Sequence, residues 1–352
     1  MGLLNRASDG QLSVLLAFRR ALLLRSPLPR QELLDLCAPK TLWSSAEPTG
    51  DDKKDDASKK EQQQAKATLT RWLEIGFFVQ EEGDENTISL GPAFNQTSLD
   101  SKDAALLRTA IRQLVFSPAN NLQILSEERD SEVAGQCADL TRGACWVLAQ
   151  DSYAFPGGKW SDVDELLKTQ VSTKPMPFQN DTRWYAYRDD YAPFLGLGWL
   201  NPQRGFSKTQ SPATTPSRAL ASKSASSEPI KGIPELIADP AEAVLDELPA
   251  TFEDTRELPI NRFLERLAVR LPVIDGGTYR QQMEEHLRKR DVWKPRAPHE
   301  ISTSLSRALI RLEESGVLQL PARSDAPEVK LLLGRDSTPI QRISHVVWTK
   351  TT

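Results

Sequence analysis

The chain has 352 residues, a formal net charge of −4, 39% hydrophobic and 26% charged residues. That is enough apolar material for two or three cored domains. It holds no membrane span, because its most apolar run, Leu12 to Leu24, is broken by Arg19 and Arg20. An acidic balance also argues against a surface that neutralises DNA phosphate everywhere, so any nucleic-acid contact has to be a local basic face. No basic lead-in or small-residue cleavage site marks a signal peptide, and cytoplasm is the expected location.

In chain order, Asp9 is the expected N-cap of a first helix that offers Leu12, Leu15, Leu16, Leu22 and Leu23 to a core. Pro27 and Pro29 stop it, and Pro29 suits the first position of a second helix carrying Leu33, Leu34 and Leu36. Residues 44–60 mix charges of both signs with no apolar anchor, which predicts a solvated or disordered insertion. A third helix is expected from about Glu61 to Ile75. Leu69, Trp72 and Leu73 face inward, and Gln63, Lys66, Thr70 and Arg71 face outward. Gly76 is its C-cap, and short strands at 77–80 and 87–90 flank the turn EEGDEN. So small a hairpin needs helices beneath it. Three helices and a hairpin make a winged helix, assigned to residues 1–101.

Residues 102–209 read as a helical middle. Leu106, Leu107, Ala110, Ile111, Leu114 and Val115 form one helix-spaced stripe, and further helices fall near Leu140–Leu148 and Trp160–Leu167. An aromatic segment follows at 182–200. Its end, FLGLGWL, parallels WLEIGFF at residues 72–78, which suggests a degenerate second winged helix with NPQRGFSKTQ as its wing. Residues 210–228 are rich in Ser, Thr, Ala and Pro, and an acidic connection runs from about Pro234 to Glu257, so 210–256 is expected to be a linker.

The last unit, 257–352, opens with an amphipathic helix from Pro259 to Leu271 and the turn Asp275-Gly276-Gly277. Thr278 with Gln281 matches a capping box. Ile301, Leu305, Ala308, Leu309 and Leu312 form the core stripe of a third helix closed by Gly316. Strands at 317–320 and 328–333 are the expected wing, and 342–349 a last strand. The fold class is therefore mainly α with small β-wings: multiple winged helix-turn-helix units joined by a helical middle.

No catalytic centre emerges. His286, His299 and His345 lack companions at metal-ligand spacing, the three cysteines show no C-x-x-C pair, and no phosphate-cradling loop or nucleophile elbow is present. Asp189 and Asp190 are adjacent and cannot share one helix face. No metal or cofactor is expected, and the protein is read as non-enzymatic. The basic signal is stronger. Arg307 and Arg311 lie four apart on the last unit's third helix, the element that enters the major groove in helix-turn-helix proteins, or they pair with Glu314 and Glu300. Arg288, Lys289, Arg290, Lys294 and Arg296 cluster near its second helix, and Lys66 and Arg71 are the N-terminal candidates. Trp184, Tyr187 and Tyr191 would stack on unpaired bases or anchor a partner if exposed, and are core if buried.

The opening LLNRASDGQLSVLLAF, the block RWYAYRDDYAPFLGLGWL and the terminal winged helix together resemble the DpdG family of bacterial gene clusters that place 7-deazapurine bases in DNA and restrict unmodified DNA. The resemblance implies a cytoplasmic anti-phage accessory protein that works with larger helicase or nuclease subunits, and it assigns no residue a role. The expected function is a DNA-binding or adaptor subunit of a restriction complex. The alternatives are a protein-only scaffold, such as a kleisin-like bridge between ATPase subunits, and a transcriptional regulator.

Overall fold

The structure, a computed structural model, describes residues 2–4, 11–38, 52–94, 103–126, 131–171, 174–201 and 235–349. Asp9, residues 44–51 of the charged insertion, the expected wing at 202–210 and the expected linker at 210–234 lie outside the described residues.

Helix α1 (Leu12–Leu24) buries Leu12, Leu15, Phe18 and Leu22, while Leu16, an expected core residue, is exposed. Strand β1 (Leu28–Pro29) leads directly into α2 (Arg30–Cys37), with Pro29 as N-cap rather than first helical residue. Helix α3 (Asp52–Ile75) starts inside the stretch that composition assigned to a solvated insertion. Alternating charge there suits a helix face as well as a loop, and composition alone does not separate the two. Leu69 and Trp72 are fully buried. β2 (Phe78–Glu81) and β3 (Asp84–Leu90) follow, and the antiparallel sheet has the order β1-β3-β2.

The middle contains α4 (Asp103–Val115), α5 (Ser131–Ala134), α6 (Ala138–Leu148), α7 (Trp160–Gln170) and α8 (Asp181–Tyr185). Helix α8 continues through a π-helical stretch (Ala186–Tyr191) into α9 (Ala192–Phe194). β4 (Gly198–Asn201) then pairs antiparallel with β5 (Glu235–Ala238). The last part holds α10 (Ala241–Phe252), β6 (Glu257–Pro259), α11 (Ile260–Arg270), α12 (Thr278–Arg288), β7 (Glu300–Ile301), α13 (Thr303–Glu314), β8 (Leu318–Gln319), β9 (Lys330–Leu333), β10 (Pro339–Ile343) and β11 (His345–Trp348). The protein is mainly helical with small sheets, antiparallel except where β7 runs parallel to β9. Among the described residues no helix is long and apolar enough to cross a membrane.

One order of elements recurs three times. In the first run it is α1, β1, α2, α3, β2, β3. In the third it is α10, β6, α11, α13, β8, β11, with α12 and β7 inserted before α13 and β9 and β10 inserted before β11, and the sheet order is β6-β11-β8. The middle run is α6, residues 155–157, α7, the helix through α9, β4 and β5. There the Gly157 carbonyl accepts the Leu236 N–H at 2.9 Å and stands where β1 and β6 stand. A Cβ on Gly157 would lie 2.2 Å from the Leu236 carbonyl oxygen, so only glycine permits this approach. Each third helix ends on a left-handed glycine: Gly76 (φ 96°), Gly196 (φ 68°) and Gly316 (φ 72°). Each closes by the same pair of bonds, Phe77 to Trp72, Leu197 to Ala192 and Val317 to Leu312 at 2.9 Å, with the glycine N–H bonding three residues back.

This register corrects three expectations for the C-terminal part. The acidic stretch up to Glu257 is not a connection beyond residue 234, since β5 and α10 fill it and Leu236, Val244, Leu248 and Phe252 are buried. Gly277, not Thr278, caps α12, and Gln281 bonds back to the Gly276 carbonyl at 2.9 Å. β8 pairs with β11 rather than with the 328–333 strand, which instead joins β10 and β7 in a separate sheet.

Ion pairs join the runs. Arg112 of α4 is fully buried; it donates to the Leu195 carbonyl (3.1 Å) and the Asp246 carboxylate (3.0 Å) and lies 3.4 Å from Glu247. Arg108 clamps Asp246 with two 3.0 Å bonds, and Arg270 of α11 reaches Glu247 at 2.8 Å. Two of the three acids of α10, Asp246 and Glu247, are thus internal. Replacing Arg112 by alanine leaves two carboxylates buried beside a vacated site and is expected to cost about 3–5 kcal/mol in urea unfolding. A loss below about 1 kcal/mol, the worth of an exposed pair, would show that this joint carries little stability.

Candidate nucleic-acid interface

Helix α13 is buried over its first turn and along its leucine face, while Arg311 and Glu314 near its C-terminal end are exposed. Its N-cap Ser302 bonds its own helix and gives its N–H to Asp275 at 2.7 Å. Ser304 donates to the Leu148 carbonyl (2.8 Å) and Thr303 accepts the Ser152 N–H (2.9 Å), which docks this end on the C-terminus of α6. Along one flank Ser306 accepts the Leu333 N–H of β9 at 2.9 Å, and Glu313 accepts the Leu320 N–H at 2.9 Å. Along the other, Arg307 (3.2 Å) and Arg311 (2.6 Å) converge on the carboxylate of Asp239, whose side chain is 0% exposed. Trp199 Nε1 donates to the same carboxylate, and the Arg307 guanidinium lies 5.5 Å from the Tyr153 ring centre and 5.8 Å from that of Trp199. The arginines expected to enter a groove therefore pair with an internal carboxylate, Arg307 largely covered and Arg311 still 45% exposed. Glu314 and Glu300, the alternative partners, are not the ones used.

Arg296 is likewise internal. It bonds Asp275 and lies 3.5 Å from Glu284, while Arg280 bonds Glu284 at 2.8 Å and approaches Asp275 at 3.7 Å. Burial alone would raise the Asp275 carboxyl. Arg296, Arg280 and the Ser302 N–H outweigh it and hold that carboxyl below the usual range. The network floors a groove of about 710 Å³ between α11, α12 and residues 296–301.

Four cations remain outside at one corner, where α12 meets the end of α7. Lys289 and Lys294 are exposed, Arg288 has only Glu284 at 4.0 Å among the described residues, and Lys168 projects from α7 paired with Asp164 at 2.6 Å. Arg290 fixes the corner: its guanidinium donates to the α7 carbonyls of Lys168 and Thr169, the latter at 2.8 Å. Trp293 Nε1 bonds the Ala149 carbonyl at 3.2 Å and pins the following turn.

At the N-terminal run Lys66 is exposed but Arg71 is buried against Glu74 (2.7 Å) and Gln136 (3.1 Å), so it leaves the candidate set. Gln63, Lys66 and Thr70 form the open face of α3, with Arg30 bonded to Thr70 at 2.7 Å. The β2–β3 tip carries exposed Glu81, Glu82, Asp84 and Glu85, which repels phosphate.

Trp184, Tyr187 and Tyr191 are buried, which removes them as a partner surface. Rings of Trp146, Phe155, Trp184, Phe178 and Tyr187 pack edge to face or tilted at 5.2–6.1 Å, and Trp184 Nε1 bonds the Gly158 carbonyl. Their spacing of three and four residues is that of a helix's inward stripe. The thiols offer no nucleophile, because burial pushes Cys37 up to about 11 and raises Cys137 and Cys145 as well. In the sequence Asp275 reads as a turn residue beside two glycines and Asp239 as part of an acidic connection, so neither shows its ion-pair role.

A model of the family described as DpdG-like matches residues 1–326 of the chain. No curated protein and no solved structure matches it.

Because the folded-state carboxyl of Asp275 titrates below its unfolded value, its stabilisation is complete above about pH 4 and is lost as pH falls through the lower folded value. Asp275→Asn should lower the urea midpoint at neutral pH and flatten the acid limb of the stability curve. An unchanged acid limb would contradict the assignment.

Proposed function

Because the chain belongs to the DpdG-like family, which fits a role in the 7-deazapurine DNA modification and defence system, we propose that it is a non-enzymatic adaptor subunit of a DNA restriction complex, built from three winged-helix units. The recurrence of helix, strand, helix, glycine-closed helix and hairpin, with sheet order first-third-second, supports the winged-helix reading.

The observation that carries the function is the split among the cations. Arg307 and Arg311 are held by the buried Asp239, although Arg311 keeps 45% of its side chain exposed, whereas Lys289 and Lys294 stand in solvent beside Arg288 and the Asp164-paired Lys168 on a corner fixed by Arg290. Such a corner contacts phosphates without reading bases, so it holds duplex DNA in place and leaves recognition and cutting to a larger helicase or nuclease subunit. That subunit docks on the open α3 face of Gln63, Lys66 and Thr70. The pairing of the α13 arginines with Asp239 disfavours a transcriptional regulator, which needs a base-reading helix. The anionic β2–β3 tip favours, as a second reading, a scaffold that touches protein only.

Salt-titrated binding of duplex DNA to the full chain separates these readings. Each lost phosphate contact reduces the log–log salt slope by about 1, so Lys289→Glu with Lys294→Glu should lower it by about 2. Arg307→Ala with Arg311→Ala should lower thermal stability and leave the slope alone. No binding at low salt, or a slope indifferent to the lysines, would reject DNA contact at this corner in favour of the protein-only scaffold.

A further inference from the structure

The β9–β10 hairpin lies beyond the residues that the family model matches, and its tip is built unlike an ordinary turn. Asp336 (φ 57°) and Ser337 (φ 55°) both sit in the left-handed region without being glycine. The turn is held by Gly334 N–H to the Thr338 carbonyl at 2.8 Å and Thr338 N–H to the Arg335 carbonyl at 3.1 Å. Just after it, the register with β9 slips between Pro339 and Gln341, so Ile340 is the extra residue of a β-bulge. Ile340 is 54% exposed, although a Cβ on Gly334 would come within 2.9 Å of its Cγ2, so its base is seated against the turn. Arg335 and Arg342 flank it. Both are exposed, and neither has an ion-pair partner among the described residues.

Edge protection explains part of this. β10 is an outer strand of its sheet, and proline and charge on such a strand discourage pairing with another chain. It does not explain Ile340. A bulge that turns an isoleucine out of the ladder on an exposed edge works against protection. An apolar side chain presented on the outer strand of a three-stranded sheet, whose central strand is anchored by buried Leu332 and Leu333, between two unpaired arginines has the composition of a wedge for duplex DNA. Arginines grip the backbone on either side of the minor groove while an aliphatic side chain enters between base pairs and unstacks them. Arg335 and Arg342 against the single acid Asp336 give the arm the charge complementarity this needs.

We propose that the β9–β10 hairpin is a minor-groove arm for duplex DNA, with Ile340 as the inserted side chain and Arg335 and Arg342 as its phosphate contacts. The assignment rests on the DNA-contacting reading above and adds to it local distortion of the duplex, a task that a phosphate-holding corner does not perform.

The test uses the full chain and a short labelled duplex with 2-aminopurine at a central step. Arg335→Glu with Arg342→Glu should weaken binding at low salt and lower the log–log salt slope by about 2. Ile340→Ala should keep most of the affinity and the slope but lose the rise in 2-aminopurine fluorescence that the unaltered chain produces. All three side chains are exposed, so matched thermal melts are expected. If the arginine variant keeps its slope while the Lys289/Lys294 variant loses its own, the arm is refuted and the corner stands. If the unaltered chain gives no fluorescence rise, or Ile340→Ala gives an equal one, the wedge is refuted. If the unaltered chain fails to bind duplex DNA, the arm and the DNA-contacting reading fail together.

Discussion

The carboxylate of Asp239 decides what this molecule has left to offer a partner. It lies between β5 and α10, is wholly buried, and takes hydrogen bonds from Arg311, Arg307, Trp199 and the Ala241 N–H. A charge in that position is tolerable only when its lone pairs are filled, and the two arginines fill them from α13. Only Asp239 and Pro240 separate the second run's last strand from the third run's first helix. The two runs therefore share a junction instead of hanging on a tether, and α13 lies across it.

The other joints follow the same logic. Arg112 draws α4, the end of α9 and α10 together, and Arg270 adds α11. Asp275 ties the start of α13 to the turn before α12 through Ser302, Arg280 and Arg296. Buried ion pairs are poor sources of net stability but good devices for specifying one arrangement, since every misplacement strands a charge. Here they fuse three similar units into one platform. Among the described residues, the surfaces this leaves include the α3 face, the cationic corner of α7 and α12, and the β9–β10 hairpin. Such a body suits the adaptor role proposed above.

Much of this was legible in the sequence because its signals are local. Leucine and tryptophan at three- and four-residue spacing marked α3 and α13, and Gly76 and Gly316 marked their ends. The weak likeness of FLGLGWL to WLEIGFF matched the glycine-closed end of the middle helix and the start of β4. What was hidden depends on partners far along the chain. Arg307 and Arg311 meet Asp239 across 68 and 72 residues, and Arg112 meets Glu247 across 135. No window-based pattern reveals that an outward-looking arginine is spoken for. The same blindness made α10 look like a connection, because Asp246 and Glu247 lower its apparent apolarity while sitting inside. Arg71 was misplaced outward for that reason too: its partner Gln136 belongs to the next unit.

The pairing of the α13 arginines with Asp239 is the point on which the functional reading turns, and a double-mutant cycle between Asp239→Asn and Arg311→Met measures it directly by urea unfolding of the full chain. A buried, shared carboxylate predicts a coupling of about 1–3 kcal/mol, with Arg311→Met alone clearly destabilising. Additive effects, with Arg311→Met costing nothing, would mean that the arginine is free in solution and that α13 is open to a partner after all.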